Sequence, residues 1–501
     1  MTVFSQRSRP RSATALRTTM TGGRTSHRAW FVVGMLVVFQ IINFADKAVI
    51  GMVAGPAMQE LHLSASQFGF IGSSFFFLFS VSSIVIGFVA GRVSTQRILL
   101  TLAVIWGVVM FPILLGAGAA TLLASRIMLG AAEGPATPIS LQHAHGWFAP
   151  RERGLPSNLV AIGSTLGPVV AAPVLAWVIA EPALGWRWAF GLLGIVALLW
   201  GVAWRFIGKD GPFGHAQDNG DRASEAASAE VGRTEPPATS GSASVRSAGS
   251  SVAGRSDQLA KVSIGRLFCS PMFVVAVLTG AGCFWAMAFL TTWAPKYLQT
   301  VVHTSPEMVG VIFTLPWIVG ALTLLGLGYV SRRLMRSGVT VRWAIGATYS
   351  TALLCSGICF LVLPHVSGYT VVAVLAFGNG LAMIFPMAPS AVAYAANHRQ
   401  RGALMAAVTG LASIGAVVAP YMVGRLMQNS GYRPGAPVAG MAAHISHGMN
   451  SAFWMIGIYL VVTGLAGVLL LDPDRTAARL HGALQAAPEP ESAVVAPEPE
   501  V

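Results

Sequence analysis

The stretch Arg126-Ile-Met-Leu-Gly130-Ala-Ala-Glu133-Gly-Pro135-Ala-Thr-Pro138, with Arg151-Glu-Arg153-Gly154 after it, decides the fold because the chain contains its echo. At a constant offset of 248 residues, Gly130 pairs with Gly378, Pro138 with Pro386, and Gly167 with Gly415. Arg151, Arg153 and Gly154 pair with Arg399, Arg401 and Gly402. Scattered glycine matches arise by chance in a chain with 55 glycines, but six matches at one offset, two of them arginines, do not. A shorter echo sets Gly87-Phe-Val-Ala-Gly-Arg92 against Gly328-Tyr-Val-Ser-Arg-Arg333. The sequence reads as a duplicated unit.

Outward from these echoes, apolar stretches recur from Trp30 to Leu471, each of about 20 residues and long enough to cross a ~30 Å hydrocarbon core. The expected spans are 30–52, 67–90, 97–117, 121–144, 156–180, 187–207, 271–295, 306–330, 342–363, 370–393, 402–427 and 451–471. Of the 501 residues, 54% are hydrophobic and 10% charged, whereas soluble domains carry roughly 25% charged residues. Mean hydropathy is +0.65. A soluble fold is excluded, and a β-barrel would show short alternating segments instead. The expected fold class is an all-α integral membrane protein, with twelve transmembrane helices in two six-helix pseudo-repeats.

The net charge of +13 would suggest nucleic acid on a soluble protein. Here basic residues mark the cytoplasmic loops, so nucleic acid is not expected as a partner. Arg7, Arg9, Arg11, Arg17, Arg24 and Arg28 precede the first span, and Arg92, Arg97, Arg151, Arg153, Arg332, Arg333, Arg336, Arg399 and Arg401 follow even-numbered spans. Both termini are therefore expected in the cytoplasm, in a multi-pass protein of the inner (plasma) membrane. Residues 1–29 form a basic tail, 30–208 the first half, 266–472 the second and 473–501 a cytoplasmic tail. The Ser/Ala/Gly-rich segment 209–265 has too little apolar surface to offset ordering entropy, so a disordered linker is expected there. Cys269, Cys283, Cys355 and Cys359 read as packing residues, without disulfide or metal spacing. His143 and His145 sit about 200° apart around a helix and share no metal. The absence of a Gly-Lys-Ser/Thr phosphate loop argues against an ATP-driven pump.

Duplicated six-helix halves joined by a long loop are a transporter arrangement, with substrate between the halves near mid-membrane. In its motifs the chain resembles the major facilitator superfamily over nearly all of residues 30–471. Ser125-Arg126 to Pro138, Trp147-Phe-Ala-Pro-Arg-Glu-Arg153-Gly154 and Asn43-Phe-Ala-Asp46-Lys47 resemble its anion:cation symporter family. That resemblance implies uptake of sugar acids or other organic anions with protons or sodium. It implies protonatable carboxylates at Asp46 and Glu133, a functional cation at Arg126, and a gate at Gly87 and Arg92 and at Arg332 and Arg333. The gate's usual acidic residue is replaced by Gly91. Lys47 stands where an arginine is usual, and Phe44 and Phe79 where sugar-acid carriers tend to have tyrosine. An aromatic or less hydroxylated carboxylate is thus as compatible with the chain as a sugar acid.

Charges inside a membrane are costly, roughly 2.5–3.5 kcal/mol each at a helix centre, and so point to function. Asp46, Lys47, Arg126 and Glu133 sum to zero. Arg126 and Glu133 are seven apart and share a helix face, about 10 Å apart along the axis. An added substrate carboxylate would leave excess negative charge, and a proton on Glu133 or Asp46 would cancel it. Lys47 and Arg126 are the expected substrate-binding cations, with Asn379, Ser164 and Thr165 as hydrogen-bonding candidates. Trp285, Trp293 and Trp317 read more readily as interface anchors than as cavity walls. The prolines of spans four, five, ten and eleven read as helix interruptions. The expectation is a proton-coupled organic-anion symporter, with no cofactor, no catalytic or metal site, and a monomer as the working unit. A major-facilitator exporter, an uncoupled facilitator and a transporter-like sensor are the alternatives.

Overall fold

The structure, a computed structural model, describes residues 27–89, 93–116, 118–149, 152–212, 264–435 and 438–485. Apolar runs of this length become helices because hydrocarbon offers backbone N–H and C=O groups no other partner. The first half contains α1 (His27–Met52), the short α2 (Ala54–Glu60), α3 (Ala65–Val89), α4 (Thr95–Leu114), α5 (Ala119–Glu133), α6 (Ala136–His145), α7 (Gly154–Ala180) and α8 (Trp186–Ile207). After a short α9 (Ile264–Phe268) come α10 (Pro271–Thr292), α11 (Ala294–Thr300), α12 (Pro306–Ile312) and α13 (Thr314–Arg336). A π-helical turn at Arg342–Ala347 opens α14 (Thr348–Val362), followed by α15 (Tyr369–Ala382), α16 (Met387–Tyr394), α17 (His398–Ala412), α18 (Ile414–Asn429), α19 (Val438–Leu470) and α20 (Pro473–Gln485).

Among the described residues, eleven helical segments are long and apolar enough to span a membrane. The remaining expected span, the fourth, is split into α5 and α6 at Gly134-Pro135, where the proline cannot donate to the preceding turn. Span ten breaks at the corresponding place, between Ala382 and Met387. The offset of 248 is therefore visible in backbone geometry as well as in sequence. Span five, by contrast, runs unbroken through Pro168 and Pro173. Span eleven breaks at Ser413 between α17 and α18, not at Pro420. The Gly328–Arg333 echo is also helical, because α13 continues to Arg336.

Packing repeats with the sequence. In the first half α1 lies along α7, α3 along α5 and α4 along α8. Their counterparts are α10 with α18, α13 with α15 and α14 with α19. The halves meet where α3 crosses α18 and where α7 crosses α12, two contacts that exchange under the same symmetry. Two glycines set the approach near the end opposite the arginine-bearing loops. A Cβ on Gly51 would lie 2.2 Å from the Thr291 carbonyl oxygen, and one on Gly69 2.2 Å from that of Pro420. Ser66 Oγ donates to Gln428 Oε1 at 2.6 Å, and the Tyr421 N–H donates to Ser73 Oγ at 3.1 Å. This end, opposite the arginine-bearing loops, is closed.

The expected linker falls outside the described residues from 213 to 263, as do Arg92 and the tails 1–26 and 486–501. Its first residues pack on the first half. Trp147 Nε1 donates to the Lys209 carbonyl at 3.1 Å, and the Asp210 carboxylate accepts from Ser94 Oγ at 2.7 Å at the start of α4. Within the expected tail at 473–501, α20 carries helical structure to Gln485.

The closure makes a prediction. In a Ser66→Cys background, Gly69→Val pushes a side chain against Pro420, so labelling by a membrane-impermeant maleimide should rise several-fold. Unchanged labelling would show that the Gly69 approach does not hold this end shut.

Candidate functional site

α1 places Asp46 and Lys47 side by side, about 100° apart around the helix, so they aim at different neighbours. α5 places Arg126 and Glu133 two turns apart on one face. The result is a crossed arrangement. Arg126 Nη2 donates to both Asp46 oxygens, at 3.0 and 3.1 Å. Lys47 Nζ donates to Glu133 Oε2 and, at 2.6 Å, to Asn43 Oδ1 one turn back. The long Arg and Lys side chains span the distance that the short carboxylates cannot. All four residues are buried, none more than 4% exposed. Arg126 therefore does not reach out to headgroups, and Glu133 takes Lys47 rather than Arg126 as its partner.

Two features keep this cluster from being a saturated structural network. Glu133 Oε1, Arg126 Nε and Asn43 Nδ2 are buried without a hydrogen-bond partner among the described residues, and such atoms are expensive to leave unmade. Lys47 and Arg126 also line a cavity of about 10 Å³ with Gly72, Phe75, Phe76 and, from the second half, Thr291. That is roughly the room one water molecule needs. Thr291 is the residue against which Gly51 closes, so the cluster lies next to that glycine seal. A larger groove of about 650 Å³ between α3, α5 and α18 has no charged side chain in its lining.

Rings enclose the cations. Lys47 Nζ lies 4.4 Å from the Phe44 ring centre, 5.6 Å from Phe75 and 5.8 Å from Phe79. The Arg126 guanidinium lies 5.6 Å from Phe75 and 5.7 Å from Phe190. Ring faces carry negative charge density and partly replace lost hydration. Phe44 in turn meets Trp317 of α13 edge-on at 6.2 Å, so a ring contact joins the two halves beside the cluster. The sequence reading singled out Phe44 and Phe79 but missed Phe75. The signal for it was available, since 75 and 79 are one helical turn apart.

The other candidates lie apart from these ion pairs. Asn379 is buried in α15, where Nδ2 donates to the Leu375 carbonyl at 3.0 Å and Oδ1 has no partner among the described residues. Ser164 Oγ donates to the Ala161 carbonyl within α7, at 2.5 Å. Gly87 lies in the last turns of α3, and Arg332 and Arg333 are exposed near the end of α13. Trp293, fully buried, donates to the Pro420 carbonyl at 2.9 Å and meets Phe68 of the first half edge-on at 5.7 Å, while Trp285 stacks on Tyr459 within the second half. Trp317 is buried against Phe44, not exposed at a helix end, and so departs from the interface-anchor reading.

Comparison with known proteins bears on this arrangement. Residues 36–420 match the family model described as the Major Facilitator Superfamily. A hexuronate transporter of Bacillus subtilis (strain 168) is 26% identical over 69% of this chain and 76% of its own length. A probable sulfoacetate transporter of Cupriavidus necator is 26% identical over 64% of this chain and 69% of its own. A D-galactonate transporter of Escherichia coli O6:H1 is 22% identical over 82% and 92%. Among solved structures, a bacterial homologue of the human lysosomal transporter Spinster, inward-facing and unoccupied, superposes with a TM-score of 0.69 at 17% identity. That match covers 92% of this chain and 99% of the other.

The crossed pairing is testable by double-mutant cycles on unfolding in detergent. Lys47→Met and Glu133→Gln should each destabilise by about 3–5 kcal/mol, the usual cost of orphaning a buried charge. The double variant should recover a large part of that. Lys47→Met with Asp46→Asn should show little coupling, and strong coupling there would refute the pairing.

Proposed function

The chain belongs to the Major Facilitator Superfamily, and from that premise we propose that it carries a small organic anion into the cell together with a proton. The curated relatives are transporters named for hexuronate, sulfoacetate and galactonate, all organic anions. They support a multi-pass membrane carrier of such an anion and a non-enzymatic role. The observation that carries the coupling is the neutral, crossed cluster of Asp46, Lys47, Arg126 and Glu133 with its unpartnered Glu133 Oε1 and Arg126 Nε.

Both cations already hold a carboxylate. A substrate anion entering the cavity between them makes the cluster net negative, at a steep cost where the effective dielectric is low. A proton on Glu133 restores neutrality and releases Lys47 for the substrate carboxylate. Arg126 keeps Asp46 through Nη2 while Nε offers the anion a second donor. Anion and proton each make the other's binding more favourable, and by linkage the effect is reciprocal. Asp46 serves as the second proton site or as the latch that returns Arg126 to rest.

Transport proceeds by alternating access. The outer seal at Gly51 and Gly69 opens to load the site and closes to release the anion and proton inward, with the helix breaks at Pro135 and in span ten as points of bending. The arginine-rich loops support a cytoplasmic position for the termini. Each chain holds a whole cluster, so a monomer suffices. Asn379, with its free Oδ1, is a second-half contact for the substrate, and Ser164 a first-half one. Arg332 and Arg333, with Gly87 and Arg92, gate the inner end.

In proteoliposomes, an inward proton gradient should drive accumulation of the transported anion, and dissipating the gradient should abolish it. Glu133→Gln should retain anion exchange but lose the response to the gradient. Gradient-driven accumulation by Glu133→Gln at the wild-type level, or anion flux running against the proton flux, would overturn the proposal.

A further inference from the structure

The walls of the site narrow the substrate class. The Lys47 ammonium faces three phenyl rings, the Arg126 guanidinium two, and Phe75 stands beside both. Phe75 also stacks on Phe79 at 6.0 Å and meets Phe76 edge-on at 4.9 Å. Across the seam, Trp317 presents its ring to Phe44, and its Nε1–H is buried without a partner among the described residues.

The polar side chains nearby have little left to offer. Asn43 Oδ1 is taken by Lys47, Gln40 Nε2 donates to Thr137 at 2.9 Å, and the Thr291 hydroxyl donates back to the Met287 carbonyl at 3.0 Å. Besides Glu133 Oε1 and Arg126 Nε, which faces the carboxylate, the side-chain atoms near the cluster left without a partner among the described residues are Asn43 Nδ2, Gln40 Oε1, Thr292 Oγ1 and Trp317 Nε1. A polyhydroxylated acid would strip water from four or more hydroxyls to enter this ring-lined space and find few replacements. Each buried hydroxyl left unpaired weakens binding by about tenfold. A flat ring loses little hydration and gains edge and face contacts.

We infer that the substrate is an arylcarboxylate, its carboxylate between Lys47 and Arg126, its ring among Phe44, Phe75, Phe79 and Trp317, and a single ring oxygen accepting from Trp317 Nε1–H. Trp317 is thus the specificity residue contributed by the second half. Space for the ring opens when the halves part at the outer seal. The assignment rests on the anion-carrier reading given above and sharpens it.

The test uses the full-length protein in proteoliposomes, with 4-hydroxybenzoate, benzoate and D-galactonate as probes in competition and counterflow. The expected result is saturable 4-hydroxybenzoate exchange, with benzoate competing and D-galactonate at least about 100-fold weaker. Trp317→Phe keeps a ring and removes the N–H. It should lower the preference for 4-hydroxybenzoate over benzoate by about tenfold, a ratio that a merely destabilised protein would not change. If D-galactonate exchanges as well as or better than the aromatic acids, the substrate class is wrong while the anion-carrier reading stands. If no organic anion is exchanged by protein that remains folded by thermal melting, both fall. Equal loss for the two aromatic probes in Trp317→Phe would overturn the role of Trp317.

Discussion

Two ion pairs crossing between α1 and α5, buried to within a few per cent, constrain everything around them. Ions of this size pay several kcal/mol each to leave water, and the attraction within a pair repays that cost only when geometry and hydrogen bonds are good. Asp46 meets Arg126 with two hydrogen bonds, whereas Glu133 meets Lys47 through one oxygen and leaves the other unpartnered. The cluster is therefore unequal in its two halves. In the first pair both carboxylate oxygens accept a hydrogen bond; in the second one carboxylate oxygen is left that a proton could occupy.

The surrounding fold explains why such a cluster can be both buried and addressable. It sits in the first half but closes against Thr291 and Trp317 of the second, immediately under the glycine-mediated approach of α1 to α10. Separation of the halves at that seam would expose the cations, and re-approach would bury them. Because burial and charge balance are coupled, the energy of closing depends on what occupies the site. An empty neutral cluster can close, as can one loaded with anion and proton together, while one loaded with anion alone meets the full cost of an unbalanced charge.

Much of the fold was legible because membrane helices announce themselves by length and apolarity, and the duplication by its constant offset. Helix breaks were harder. Pro168, Pro173 and Pro420 sit inside continuous helices while Pro135 marks a break, since a proline's effect depends on whether neighbouring helices compensate the lost bond. The four charges were legible as costly residues in a membrane, and the seven-residue spacing brought Arg126 and Glu133 to one face. Their partners were not legible, because pairing across two helices depends on rotation and side-chain reach. The same limit led Trp317 to be read as an interface anchor when it is buried against Phe44. Nothing in a single apolar sequence distinguishes a ring facing lipid from one facing a cation.

The central claim is that an anion enters this neutral cluster only with a proton. Titration calorimetry of the purified carrier with its transported anion, repeated in buffers of different ionisation enthalpy, counts protons taken up at binding. The account predicts about one proton per anion for the wild type and none for Glu133→Gln. Anion binding by the wild type with no proton uptake would contradict it.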